Sequence, residues 1–357
     1  MSKRIIVLGA TGSIGKSAVD VLATHREDFE AVALAALRSR EACEAAGRLL
    51  GAKAYTCGYA AMRAVENHDA DICLVAMTGL AALAPTLAAI GKGMDVALAT
   101  KEVLVMAGAL VTAEAKRHGV RILPVDSEHS AIFQCLAGGA KPSRLVLTAS
   151  GGPFLDAPAS LDSITPREAL NHPRWKMGPK VTVDSATMMN KGFELVEAAW
   201  IFGFPMERID VVVHPESIVH SMVEFEDGAT LAQLSPPDMR VAIQYALTWP
   251  GRLPAQRAKL DLAATGALTF RRLDEARFPG PSMMRAAFSA GGCACAVAAA
   301  ADEWAVDRFL AGELPFPAIV ETVGRCVAAA PGGECDSPGA VAAACDWTVN
   351  FCKSWKR

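Results

Sequence analysis

The stretch that most restricts the fold is Ile5-Ile6-Val7-Leu8 running into Gly9-Ala10-Thr11-Gly12-Ser13-Ile14-Gly15. Four apolar residues met at once by a glycine at every third position predict a buried strand, a tight turn and the start of a helix. The first glycine suits the turn, the second lets backbone approach a pyrophosphate, and the third lets the helix pack on the strand. The helix N-terminus then presents its free amides to the phosphates. A chain built this way is expected to open a doubly wound α/β sheet that binds a dinucleotide. A glycine turn without a ligand is the bland alternative.

The rhythm that follows agrees. Strand candidates at Arg4–Leu8, Ala31–Ala36, Asp71–Met77, Asp95–Ala99 and Val120–Val125 alternate with alanine-rich helical segments such as Ser39–Leu50 and Glu102–His118. Such alternation predicts a parallel sheet covered on both faces. Beyond Val125 the pattern is mixed. Arg144–Thr148 reads as a strand ending in Gly151-Gly152, and Asp184–Gly203 contains a long helix. Ile209–His214 and Ser221–Leu234, folded about Asp227-Gly228, look like antiparallel strands. The chain therefore divides into a nucleotide domain at 1–125, a mixed α/β domain at 126–248, a linker at 249–270 and a helical C-terminal domain at 271–357.

Composition excludes several function classes. Lys+Arg 35 against Asp+Glu 38 gives a formal charge of -3, so no global field favours nucleic acid or an anionic membrane. Cys73–Ile90 is nearly uncharged, but Gly79 and Pro85 favour a strand, a turn and a helix over a bilayer span. No signal peptide is read at the N-terminus, and a soluble, cytoplasmic protein is expected. The ten cysteines include no C-x-x-C, so they are expected to be reduced small hydrophobes.

Past the second strand the sequence gives Arg38-Ser39-Arg40 where an NAD enzyme would carry an acid, which favours the 2′-phosphate of NADPH. The same residues also suit a solvated helix start, with Ser39 as its N-cap. Asp126 and Glu128, in Pro124–His129, are two apart and would converge if the chain stays extended. Such carboxylates suit a hard divalent cation, or serve as helix caps. Asn190, Lys191 and Glu194 share one helical face, which suits a phosphate grip or a plain exposed Lys–Glu pair. Ser150-Gly151-Gly152 is a third anion candidate, and His172–Gly178, with Trp175, reads as a lid loop. His214 and His220 look structural.

Together Gly9–Gly15, Lys101-Glu102, Pro124–His129, Ser150–Phe154, His172–Gly178, Val183–Glu194, His214–Val223 and Pro237–Arg240 resemble the 1-deoxy-D-xylulose 5-phosphate reductoisomerases. They occur in that family's order over the first 250 or so residues, and the run Val183–Gly192 is long and unusual. The resemblance implies a Rossmann-like doubly wound NADPH-binding domain, an α/β catalytic domain with a mixed sheet, and a C-terminal helical bundle. It implies that Thr11, Gly12, Ser13 and Ile14 hold NADPH, with Thr100, Glu102 and Gly178 nearby. Asp126, Glu128 and Glu194 would bind Mg or Mn. Ser150, His172, Ser185, Asn190 and Lys191 would hold the substrate and its phosphate, Lys101 and Ser127 would approach the reacting carbons, and Trp175 would ride on the lid. A homodimer is implied, for which the apolar strands Val211–Val213 and Val219–Phe225 offer surface.

The chain departs from the family pattern at Thr100, at Leu37-Arg38-Ser39, and at Ala299 and Asp302, which stand where N-A-A-N-E carries asparagines. Two other readings compete. One is an NADPH dehydrogenase of another phosphorylated carbonyl compound. The other is a non-catalytic NADPH-binding sensor, which would have no need of three carboxylates.

Overall fold

Five of the expected runs become parallel strands in a computed structural model that describes residues 2–156, 160–255 and 259–354. They are β1 (Lys3–Leu8), β2 (Phe29–Ala36), β4 (Ile72–Val75), β5 (Asp95–Leu98) and β6 (Ile122–Pro124). A sixth, β3 (Lys53–Thr56), was not expected, because four half-exposed residues carry neither an apolar run nor an alternation. The order is β3-β2-β1-β4-β5-β6, so the sheet reverses direction of winding between β1 and β4. Ligands of such sheets sit outside the carboxyl ends of the strands at that reversal. The uncharged stretch 73–90 resolves into the end of β4, a short turn and the helix Leu83–Gly91. Among the described residues no helix is long and apolar enough to cross a membrane.

This sheet belongs to one of two compact units, made of Met1–Val103, Val111–Phe133 and Asp238–Leu260. Its core joins Ile5, Val7, Leu22, Leu34, Ile72 and Leu74 to Ile243, Ala246 and Leu247 of the helix Met239–Thr248. That late helix is anchored by polar contacts as well. Arg240 reaches Asp20 at 2.7 Å, and Lys3 donates to the carbonyls of Leu247 and Trp249.

The second unit takes Leu104–Leu110, Gln134–Pro237 and Asp261–Arg357. The stretch 249–270, expected as a linker, is thus shared, with 249–260 in the first unit and 261–270 in the second. The unit's sheet has the order β10-β9-β7-β8-β11, with β7 at Pro142–Ala149, β8 at Ile209–Val213, β9 at Val219–Phe225, β10 at Thr230–Leu234 and β11 at Arg271–Arg272. The β9–β10 hairpin turns at Gly228, where φ is +83° and Asp227 accepts from the Ala229 amide. The expectation for Ile209–His214 is corrected: β8 runs parallel to β7 and antiparallel only to β11. The crossover that a parallel pair needs includes the two longer helices between them, Pro179–Thr187 and Met189–Phe202. Four further helices, Gly280–Ala290, Ala294–Leu310, Pro317–Ala328 and Pro338–Ser354, complete the unit. Phe154, Val183, Ala186, Val306, Phe309, Phe316 and Ile319 form a core that ties the helix Pro179–Thr187 to this bundle.

The cysteine expectation is also corrected. Cys293 and Cys335 form a disulfide, with Cα atoms 5.1 Å apart and positions 42 apart in sequence. It fastens the loop before the last helix to the start of Ala294–Leu310. Loop-closure entropy for a ring of this size is worth roughly 4 kcal/mol. Reduction, or Cys335→Ser, is expected to lower the denaturant midpoint accordingly. Equal midpoints with and without reductant would show that the bond adds nothing.

Candidate active site

The sites expected in the first unit all follow the carboxyl ends of its strands. Gly9 ends β1 with φ +87°, and a Cβ there would lie 2.2 Å from the carbonyl oxygen of Ala76, just past β4. A Cβ on Gly15 would meet the Gly9 oxygen at 2.1 Å. Both positions therefore admit only glycine, and they bring the turn hard against the strand reversal. Gly12 is the N-cap of the helix Ser13–Thr24 and supplies no side-chain cap. The first amides of that helix are left for a ligand, with Gly12 and Ser13 exposed beside half-buried Thr11 and Ile14. Arg38 and Ser39 lie exposed beyond β2, while Arg40 is taken up by Glu44 at 2.8 Å. Of the cation pair expected to meet a 2′-phosphate, Arg38 is the one outside that pair.

Thr100 is buried, and its hydroxyl donates to Met77 at 2.5 Å, which ties the segment after β5 to that after β4. Lys101 and Glu102 begin the next helix and are buried as well. The Lys101 ammonium lies 2.7 Å from Asp126, which follows β6. The chain is not extended at Asp126, as convergence with Glu128 had required. The helix Ser127–Cys135 starts at once, and the Glu128 amide donates to Asp126 at 3.3 Å. Both carboxylates are gathered at one helix start instead, with Ser127 donating to Glu128 at 2.5 Å. Burial opposes ionisation of Asp126, but the Lys101 ammonium and His129, at 3.3 Å, outweigh it and hold the carboxyl well below its usual range.

In the second unit the glycine pair after β7 takes φ +85° and +66°, and a Cβ on Gly152 would lie 2.8 Å from the Ser185 carbonyl oxygen. This close approach places Ser150 beside the helix that carries Ser185. His172 accepts at Nδ1 from the amides of Arg174 and Trp175, at 3.1 and 2.9 Å. Its proton therefore sits on Nε2, which donates to the Ser150 hydroxyl at 3.0 Å. Burial pushes the His172 pKa down to about 4. Trp175 packs edge-on against His220, and Gly178 closes the loop as N-cap of Pro179–Thr187. Met188, in the left-handed region at φ 62°, turns that helix into Met189–Phe202. There Lys191 and Asn190 both donate to Glu194, Asn190 at 2.5 Å. Lys191 and Glu194 are 3% and 1% exposed, which rules out a solvated surface pair. His214 and His220, expected to be structural, are buried: the first bonds Thr269, Ile218 and Val219, the second Ser235.

A neutral His172 sets a pH dependence. An unfolded histidine titrates near ~6.5, so from there down to about 4 the unfolded chain holds the extra proton. This site's contribution to stability is complete above that window and is lost as pH falls through it. In an NMR titration the His172 ring is expected to stay neutral from pH 8 down to about 5. A midpoint at or above the unperturbed value would contradict the burial argument.

His129, Lys180 and Asp302 had no place among the expected site residues. His129 was legible as the i+3 neighbour of Asp126. Lys180 and Asp302 meet only through the fold, 122 residues apart.

Three family profiles match the chain. "1-deoxy-D-xylulose 5-phosphate reductoisomerase" matches residues 5–53 and 48–108, the same family's "C-terminal domain" matches 122–202, and "DXP reductoisomerase C-terminal domain" matches 234–350. The 1-deoxy-D-xylulose 5-phosphate reductoisomerase of Symbiobacterium thermophilum is 50% identical over 352 residues, covering 90% of this chain and 91% of its own. The fold is similar to that of the Zymomonas mobilis enzyme solved with NADPH, with a TM-score of 0.91 and 35% identity over 99% of this chain and all of the other. It is similar also to a DOX-P reductoisomerase solved with NADPH, fosmidomycin and magnesium, with a TM-score of 0.92 and 34% identity over 99% and 98%.

Proposed function

Because the chain belongs to the 1-deoxy-D-xylulose 5-phosphate reductoisomerase family, we propose that it rearranges and reduces 1-deoxy-D-xylulose 5-phosphate. The product is 2-C-methyl-D-erythritol 4-phosphate, a step of non-mevalonate isoprenoid synthesis, and the reductant is NADPH. The observation that carries this reading is the 50% identity across 90% of the chain, with every expected metal- and phosphate-binding residue present.

Thr11, Gly12, Ser13 and Ile14 would hold the pyrophosphate of NADPH, with Arg38 and Ser39 towards the 2′-phosphate and Thr100, Glu102 and Gly178 nearby. The fit rests on Gly9, Gly12 and Gly15, whose missing side chains leave the helix amides open. Asp126, Glu128 and Glu194 would hold the divalent ion. A set of three carboxylates is hard oxygen chemistry, suited to Mg or Mn. That ion, when bound, supplies Lewis acidity at the substrate's oxygens.

The side chains supply the rest. Asn190, Lys191, Ser185, Ser150 and His172 bind the phosphorylated substrate. His172 stays neutral and fixes the orientation of the Ser150 hydroxyl through its Nε2 proton. Lys101, charged against Asp126, and the Ser127 hydroxyl would approach the reacting carbons, and Trp175 on the lid loop would help to exclude water. Phosphate binding far from the reacting centre restrains the cleaved carbon skeleton for rejoining.

The test is NADPH oxidation with 1-deoxy-D-xylulose 5-phosphate and Mn, with EDTA as control and the product identified by NMR. Metal-dependent oxidation to the branched tetritol phosphate is expected. An unbranched product would support a plain dehydrogenase, and cofactor binding without turnover a sensor. We also propose a cytoplasmic homodimer, using the strands Val211–Val213 and Val219–Phe225, to be checked by sedimentation.

A further inference from the structure

Lys180 stands in the first turn of Pro179–Thr187, yet its ammonium turns inward. It lies 2.6 Å from Asp184, one turn along the same helix, and 2.7 Å from Asp302 on the helix Ala294–Leu310. It also lies 5.2 Å above the ring of Phe193, on Met189–Phe202. The carboxylates of Asp184 and Asp302 are 3% and 0% exposed, and the lysine side chain 22%. One cation thus joins three helices at a point where water competes weakly.

Within that first turn the Thr182 amide and hydroxyl both donate to the Gly178 carbonyl, at 3.0 and 2.8 Å. Its N-cap, Gly178, offers no side chain, and Pro179 offers no amide. The same turn ends the His172–Gly178 loop and leads to Ser185, whose carbonyl oxygen lies against Gly152. Lys180, with the core residues Val183 and Ala186, therefore helps to fix where Ser185 and the loop end stand.

We propose that Asp302 is a positioning residue: through Lys180 it sets the first turn of Pro179–Thr187, and with it Ser185, for binding the substrate's phosphate. The kinetic part rests on the substrate reading above; the structural part does not. A carbonyl oxygen at 302 would serve Lys180 as an acceptor too, so an asparagine should replace the aspartate in this role.

Two readouts on the full chain test this. In Asp302→Ala, amide exchange in residues 179–187 is expected to rise about tenfold while that of the last helix stays unchanged. KM for 1-deoxy-D-xylulose 5-phosphate should rise about tenfold with kcat within about threefold. Asp302→Asn should restore both, and Lys180→Met, which cuts the link from its other end, should reproduce the alanine pattern if Asp302→Ala fails to fold. Unchanged exchange in 179–187 would overturn the proposal. So would exchange raised evenly through the unit with wild-type KM, the signature of a merely structural role. If the wild-type protein does not turn over this substrate, the functional reading falls, and the exchange data still decide the role of Asp302.

Discussion

Asp126→Asn is expected to abolish turnover, by about 10³-fold or more, while NADPH affinity stays within about twofold. The two side chains have nearly the same shape, so the loss would be one of charge. In the wild-type protein the carboxylate is half-buried, and Lys101 and His129 hold its pKa below the usual range. The amide can offer a metal only a neutral oxygen, and it leaves the buried Lys101 ammonium facing a group without charge. Both effects fall on the chemistry. The dinucleotide contacts, at Gly9–Gly15, use a different strand end and should not notice. Fluorescence titration with NADPH, calorimetry with Mn and the coupled assay separate these expectations. Turnover within about tenfold of wild type would remove Asp126 from the metal site.

The second large effect is expected at Gly15→Ala. The added methyl carbon would sit 2.1 Å from the Gly9 carbonyl oxygen and 2.6 Å from the Ala10 Cα. Backbone cannot yield as a side-chain tip can, so the helix Ser13–Thr24 must lift away from the turn. Overpacking of this kind costs about 1–3 kcal/mol in stability. The larger loss is in cofactor binding, since the helix amides leave the position where a pyrophosphate would meet them. A fall of about 10²-fold in NADPH affinity corresponds to ~3 kcal/mol. Gly91→Ala is the control: in the same unit, with nothing within 4 Å of the added carbon, it should bind NADPH normally. Equal affinities for the two variants would mean that the turn does not hold the cofactor.

What the sequence made legible was local. The glycine turn, the main strands of the first sheet and the Asn190–Lys191–Glu194 face all follow from spacings of two to four residues. Asp126 and Glu128 converge as expected, but at a helix start and not along the extended chain that was assumed. The missed features depend on distant partners. β3 forms only because β2 offers it an edge. β8 is parallel because two helices intervene, and the Cys293–Cys335 pair closes a loop that no spacing rule marks. Lys180 meets Asp302 only across 122 residues of sequence.

The helix Met239–Thr248 has a consequence for how the protein is made. All six strands of the first sheet have been synthesised once residue 124 is added, yet Ile243, Ala246 and Leu247 come much later. At about 5–20 residues per second, the intervening chain takes roughly 6–25 s to appear. Until then Val21 and Leu22 of the first helix, and the strand residues beneath, lack part of their cover. A nascent chain released after residue 133 should therefore bind chaperone or aggregate, whereas one released after 260 should hold a finished nucleotide unit.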